Sequence, residues 1–153
     1  MAKKKPTNHK KSISNRRARY DYELGDSFVA GLALTGAETK SLRMGHGQLQ
    51  GAYVAVKEGE LWLINATITG SSGIPIDESD QTRSRKLLAK RKEIDKLIGA
   101  KKSGMTIVPL EILNQGRYIK LRISLGRGKK HYDKREAIKK REVQRKISTI
   151  TKL

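Results

Sequence analysis

The sequence predicts a mainly β protein: one small, partly closed antiparallel barrel with helices at its connections, set between two basic segments. Three observations lead there. Residues 118–125 alternate strictly, with Ile119, Leu121, Ile123 and Leu125 on one side and Lys120, Arg122 and Ser124 on the other. Two short β-compatible runs, 52–56 and 60–65, flank the turn Lys57-Glu58-Gly59 and read as a hairpin. Charge is also divided by position. Residues 1–19 carry +8 and no acid, residues 126–153 carry +8, and the 20–125 segment between them carries only +3.

In chain order, the first 19 residues offer only Ile13 and two alanines for burial and read as a basic arm. The run SFVAGLAL at 27–34 is a strand. Thr35-Gly36 ends it, and 37–43 is a short helix closed by Gly45 and Gly47. The hairpin follows, with Ala52, Val54 and Val56 on one side of its first strand. Residues 69–82 are a turn-rich loop. Leu87, Leu88, Ile94, Leu97 and Ile98 fall at helical spacing, so a helix is expected from about Arg83 to Leu97. Leu87 and Leu88 are adjacent, so one of them is displayed rather than buried. Residues 105–113 are a strand in which Pro109 requires an edge position or a bulge. After the turn Asn114-Gln115-Gly116 comes the alternating strand 118–125. Beyond it, residues 130–153 contain neither Gly nor Pro and favour helix, half-formed alone and completed against a partner. Strand order does not follow from these patterns.

The composition narrows function. The 153 residues hold 34 Lys plus Arg against 15 Asp plus Glu, a net charge of +19. With one Trp and one Phe, any core is small. The absence of cysteine removes disulfides and thiol chemistry. No apolar run approaches the roughly 20 residues that span a bilayer, and no apolar stretch follows the basic start as a secretory signal requires. A cytoplasmic protein with a polyanionic partner is expected. Nucleic acid is favoured over a membrane, because the arms lack bulky apolar residues opposite their lysines.

Catalysis finds little support. His9 and His131 lie among cations, and His46 lies between Gly45 and Gly47, so each is better read as solvated or RNA-facing than as a general base. Asp77, Glu78 and Asp80 form the only acidic cluster, better explained by loop solvation or helix-start charge than by Mg²⁺. Gly126-Arg127-Gly128-Lys129-Lys130 lacks the spacing of a phosphate-binding P-loop. No enzyme, metal or cofactor is expected. Binding signals are stronger. Residues 15–22, NRRARYDY, interleave cations, an amide and two rings, a pattern that grips phosphates and stacks on bases. The alternative is that Tyr20 and Tyr22 pack on the barrel. Arg83-Ser84-Arg85-Lys86 would place three cations at a helix start, and Lys120 with Arg122 would form a positive stripe.

These segments carry a resemblance. NRRARYDY at 15–22, AGLALTGAETKSLRMG at 30–45, GELWLINATI at 59–68, DQTRSRKLLAKRKEI at 80–94, GMTIVPL at 104–110 and GKKHYDKRE at 128–136 together resemble the SsrA-binding protein family (small protein B). That family is the bacterial partner of transfer-messenger RNA in rescuing stalled ribosomes. The resemblance implies an oligonucleotide-binding (OB)-type barrel, 20–125, with a tail, 126–153, disordered when free and helical on the ribosome. It implies contact with the tRNA-like domain of transfer-messenger RNA through Asn15, Arg16, Arg17, Tyr20, Arg43, Arg83, Arg85, Leu88 and Lys120. It implies contact with the small ribosomal subunit, at the decoding centre, through Gly128, Lys129, Lys130, Tyr132, Asp133, Lys134 and Arg135. Val143, Ile147 and Ile150 would follow in the vacant mRNA channel. A monomer without a membrane partner is expected.

The chain departs from the family pattern in places. Val29 stands where the family often has a Glu facing the RNA, and Tyr20 and Tyr132 replace usual histidines. Ala89 shortens a leucine run, and 69–79 has no counterpart. The competing expectation is a ribosomal protein or general translation factor bound to rRNA.

Overall fold

The computed structural model describes residues 13–151, without the side chains of 131–133 and 151; the lysines expected in the arm at 3–11 lie outside the described residues. In chain order the elements are β1 (Ile13–Ser14), α1 (Ala18–Asp21), β2 (Tyr22–Leu32), α2 (Gly36–Arg43), β3 (Gly47–Gln48), β4 (Tyr53–Lys57) and β5 (Glu60–Ile64). They continue with β6 (Thr67–Ile68), α3 (Glu78–Gln81), β7 (Arg85–Leu88), α4 (Arg91–Lys102), β8 (Thr106–Leu113), β9 (Lys120–Gly128) and α5 (His131–Thr151).

Seven strands form one antiparallel sheet in the order β1-β8-β9-β2-β7-β5-β4, and β3 pairs with β6 apart from it. The sheet curls until β4 lies near β8. No ladder joins those two among the described residues, so the barrel stays open on that side. Its inner face holds Leu61, Leu63, Leu87, Leu121, Ile123 and Ile107, all essentially without exposure, with Leu97 of α4 closing one end. The alternation expected in the last strand is realised: Ile119, Leu121, Ile123 and Leu125 are buried. Ser124 is the exception. It too is buried, because β2 bulges between Leu24 and Ser27 and the carbonyls of Gly25 and Asp26 approach its hydroxyl at 3.2 Å.

The hairpin β4–β5 turns through Glu58 and Gly59 with φ of 51° and 72°, the left-handed pair that matches the twist of two-residue hairpins. Pro109 sits beside a register shift between β8 and β9, which spares the ladder the amide that proline lacks.

Two expectations change. The helix expected from Arg83 to Leu97 is a strand, β7, followed by a separate helix, α4. Arg85 and Leu87 point inward while Lys86 and Leu88 point outward, so the true period is two. An arginine at an inward position disguises it. The arm is also tied down from residue 13 onward. Ile13 pairs with Ile112 and is buried, Asn15 donates its side-chain amide to the Pro109 carbonyl at 3.0 Å, and Ala18 is buried. The tail, expected to be disordered when free, forms one continuous helix, α5, in keeping with its composition.

The reason Arg85 faces inward is Glu38. Thr35 caps α2 in a capping box: its hydroxyl accepts from the Glu38 amide, and its own amide donates to the Glu38 carboxylate at 3.0 Å. The same carboxylate, 2% exposed, accepts from Arg83 and from Arg85. Arg85 is 0% exposed. Its remaining N–H groups donate to the carbonyls of Ala66, Arg83, Asp80 and Gln81 at 2.8–3.1 Å, which uses every donor a guanidinium has. One side chain thereby gathers the end of β5, α3 and the start of β7 around α2.

Burial alone would raise the Glu38 carboxyl. Hydrogen bonds from Arg83, the Thr35 amide and Arg85, with the charge of Arg85, outweigh it and hold the group below its ordinary value of 4.5. The folded state therefore takes up that proton less readily than the unfolded chain. The contribution to stability is complete above the unfolded value and drains away as pH falls through the lower, folded one. Urea unfolding is expected to show a flat midpoint near neutrality that drops below about pH 4.5, with part of the drop absent in Glu38→Gln. Glu38→Ala, which leaves a buried cation unpaired, is expected to cost about 3–5 kcal/mol.

Candidate nucleic-acid interface

The outer face of the curled sheet is where cations and exposed apolar groups coincide. Along β9 the outward positions are Lys120 and Arg122; across the ladder on β2 they meet Gly31 and Val29. Gly31 in turn faces Leu88 of β7. A Cβ at Gly31 would stand 3.3 Å from the Leu88 Cβ, so the missing side chain lets Leu88 lie over the strand, 54% exposed. Val29 is exposed as well.

Two concavities cover this face and share Val29. The larger, about 1090 Å³, is lined by Arg16, Arg19, Tyr22, Arg122 and Lys129, together with Glu23 and Glu111. The smaller, about 640 Å³, is bounded by Leu88, Lys120, Tyr118, Lys86 and Lys90. Arg122 is paired with Glu111, and Lys86 with Glu60 at 3.9 Å. Lys120 is exposed, on the same strand face as Arg122. The result is a cationic sheet face with apolar relief, a surface that positions phosphates while offering flat groups to sugars and bases.

The residues expected to touch RNA fall into three groups. Asn15, Arg16, Leu88 and Lys120 border the outer face. Arg17 directly precedes α1 and Tyr20 lies on it, with the Arg17 guanidinium 6.0 Å from the Tyr20 ring. The third group is structural. Arg85 is corrected from ligand contact to core residue, because full burial and five internal partners leave it nothing to offer a solvent-borne phosphate. Arg83 is committed to Glu38, though part of it reaches solvent. Arg43 donates to the carbonyls of Asn114, Gly116 and Arg117 at 2.9–3.4 Å, while the Asn114 side-chain amide returns a bond to the Leu42 carbonyl at 2.7 Å. It staples α2 to the β8–β9 turn.

The residues expected to meet the ribosome begin at the edge of the same body. Gly128 ends β9 opposite Tyr22, and the Lys129 amide donates to the Asp21 carbonyl at 2.9 Å. Lys134 pairs with Asp21 at 3.3 Å and stands 5.6 Å from the Tyr20 ring. The two expected sets therefore touch at α1. Lys130 and Arg135 are exposed, and the side chains of Tyr132 and Asp133 lie outside the described residues. Along α5, Val143, Ile147 and Ile150 recur at helical spacing and are exposed.

Sequence reasoning missed Tyr118 as a face residue and placed Lys86 at a helix start instead of on this strand face. Tyr118 shares parity with Lys120 and Arg122, so its outward direction was available in the alternation. Lys86 was not, because its strand was read as helix. Among the described residues no group of three or more His, Asp or Glu is placed to hold a metal ion, and no helix is long and apolar enough to cross a membrane.

Comparison with known proteins places the chain in a family. The family profile described as "SmpB protein" matches residues 12–153. An SsrA-binding protein of Trichormus variabilis is 44% identical over 151 residues, 97% of each chain. One from Synechococcus sp. is 45% identical over 143 residues, 92% of each, and one from Streptococcus thermophilus is 44% identical over 139 residues, 90% of each. A chain from a solved structure described as "tmRNA-SmpB: a journey to the center of the bacterial ribosome" superposes with a TM-score of 0.64 at 39% identity, covering 83% of this chain and 94% of that one.

The geometry sets opposite signs for two substitutions on the face. Lys120→Ala is expected to weaken RNA binding and reduce the slope of log affinity against log salt by about one unit, leaving stability within about 0.5 kcal/mol. Glu111→Gln, which frees Arg122, is expected to strengthen binding and steepen that slope. Filter or fluorescence binding across a salt series reads both.

Proposed function

The chain belongs to the SmpB family of SsrA-binding proteins, and from that membership we propose that it binds the tRNA-like domain of transfer-messenger RNA and delivers it to stalled ribosomes. The observation that carries this reading is the division of the molecule into two presentable parts. A rigid body offers a cationic sheet face, and a 21-residue helix, α5, leaves it with most of its described side chains exposed.

The division suits the task. A transfer-messenger RNA entering a ribosome whose message has run out has no codon to read. A protein body held against the tRNA-like portion stands in for the absent anticodon stem. Asn15, Arg16, Leu88, Lys120 and Arg122 take the RNA on the sheet face. Arg43, Arg83 and Arg85 keep that face in shape. Gly128, Lys129, Lys130, Tyr132, Asp133, Lys134 and Arg135 address the decoding centre of the small subunit, and the stripe Val143, Ile147 and Ile150 follows in the empty mRNA channel. The helix of 21 residues, at about 1.5 Å each, reaches roughly 30 Å. The role is recognition without bond-making, carried out by a monomer in the cytoplasm. Alanylation and peptide transfer fall to other machinery.

Truncation after residue 130 removes α5 and, among the described residues, the Lys134 contact with Asp21 and Tyr20. The truncated protein is expected to bind the tRNA-like domain in the presence of excess bulk tRNA within about twofold of the full chain, while tagging on stalled ribosomes is lost. Stoichiometric co-sedimentation with ribosomal subunits lacking transfer-messenger RNA, with no preference for the tRNA-like domain, would instead favour a constitutive rRNA-binding role.

A further inference from the structure

We infer that the β8–β9 turn carries a subsite for one unpaired nucleobase of the bound RNA, with the ring of Tyr118 as its stacking platform. The inference rests on the RNA-binding reading above and specifies a contact within it. Three features of the turn point to this use.

The first is an aromatic ring that the fold does not bury. Tyr118 is 68% exposed, the most exposed of the tyrosines described among the large apolar side chains at the surface. It stands at the end of the turn, two residues before β9, and the residue that follows it, Ile119, is buried while the ring is left toward solvent.

The second is preorganisation. The Arg43 guanidinium holds the carbonyls of Gly116 and Arg117 at 3.0 and 2.9 Å, and buried Asn114 is bonded to the end of α2. A turn that merely links two strands has no need of a guanidinium from another element bonded to its carbonyls. Held in this way, the ring loses little freedom when a flat ligand lands on it.

The third is charge. The Arg117 guanidinium lies 5.6 Å from the Tyr118 ring centroid. The concavity that Tyr118 borders also carries Lys120, Lys90 and Lys86, the last paired with Glu60, together with Glu93 and with Leu88 as an apolar side chain on its lining. The combination of an open π-face, an apolar edge and surrounding cations fits a base whose own phosphates must be accommodated nearby.

The test uses the full chain and a transcript of the tRNA-like domain, with Tyr118→Phe, Tyr118→Leu and Tyr118→Ala compared across a salt series. Exposure of Tyr118 leaves folding unaffected, which a thermal melt of each variant verifies. Stacking predicts that Phe binds within about twofold of the parent and that Leu and Ala lose on the order of 5- to 150-fold, the range for removing one base–aromatic stack. The salt slope stays that of the parent in all three. Arg43→Gln is expected to lower affinity in the same slope-preserving manner, because Arg43 is a positioning residue and not a phosphate contact; a slope reduced by about one would overturn that role. Ala within about twofold of the parent, Leu equal to Phe, or Phe as weak as Ala would each overturn the stacking subsite. Failure of the parent protein itself to bind the transcript would instead overturn the broader RNA-binding reading.

Discussion

The buried carboxylate of Glu38 is the interaction on which the rest of the structure depends. It completes the N-terminal cap of α2, accepts from Arg83, and neutralises Arg85 in a site closed to water. Desolvating two charges is unfavourable on its own. Here the remaining donors of Arg85 are all spent on carbonyls from three different segments, so the pair acts as a junction. Without it the chain between β6 and β7 has no internal element long enough to order itself: α3 spans only four residues and has no side-chain cap. Pinning this stretch sets the register of β7 between β2 and β5, and β7 contributes Lys86 and Leu88 to the outer face.

The same logic separates cations that build the protein from cations that serve it. A net charge of +19 gives no indication of which is which. Arg85 is held inside, and Arg43 and Arg83 are spent largely on backbone carbonyls and on Glu38. Arg122 is balanced by Glu111. Lys120, Arg16 and Lys129 border the concave outer face. Most of the net charge lies in the two end segments, so what the body adds is not more charge but a few cations held at fixed positions on a shaped surface. The contact between Lys134 and α1 shows that tail and body share a boundary at Tyr20 and Asp21.

Much of this was legible in the sequence, and the failures have physical causes. The alternating strand at 118–125, the hairpin around Glu58-Gly59 and the proline-associated irregularity in β8 followed from period and turn chemistry. The displayed leucine of the pair 87–88 also followed from adjacency. The strand β7 did not, because its inward residue is an arginine and hydrophobic patterning counts such a position as outward. For the same reason Arg85 looked like a ligand contact: its partner Glu38 is 47 residues away, and no local rule links them. The acceptors of Arg43 are backbone carbonyls far along the chain, which also leave no sequence signature. Strand order was never in the pattern. It depends on which edges the chain brings together; the likeness to a known family supplied the barrel class and left the order open.

The most direct test of the two-part account is a methyl-resolved NMR titration of the full chain with the tRNA-like RNA. The account predicts that the methyl signals of Val29 and Leu88 on the outer sheet face shift on binding, while those of Val143, Ile147 and Ile150 in α5 stay where they are. Shifts confined to the α5 methyls, with Val29 and Leu88 unmoved, would contradict it and transfer the RNA-binding role from the body to the tail.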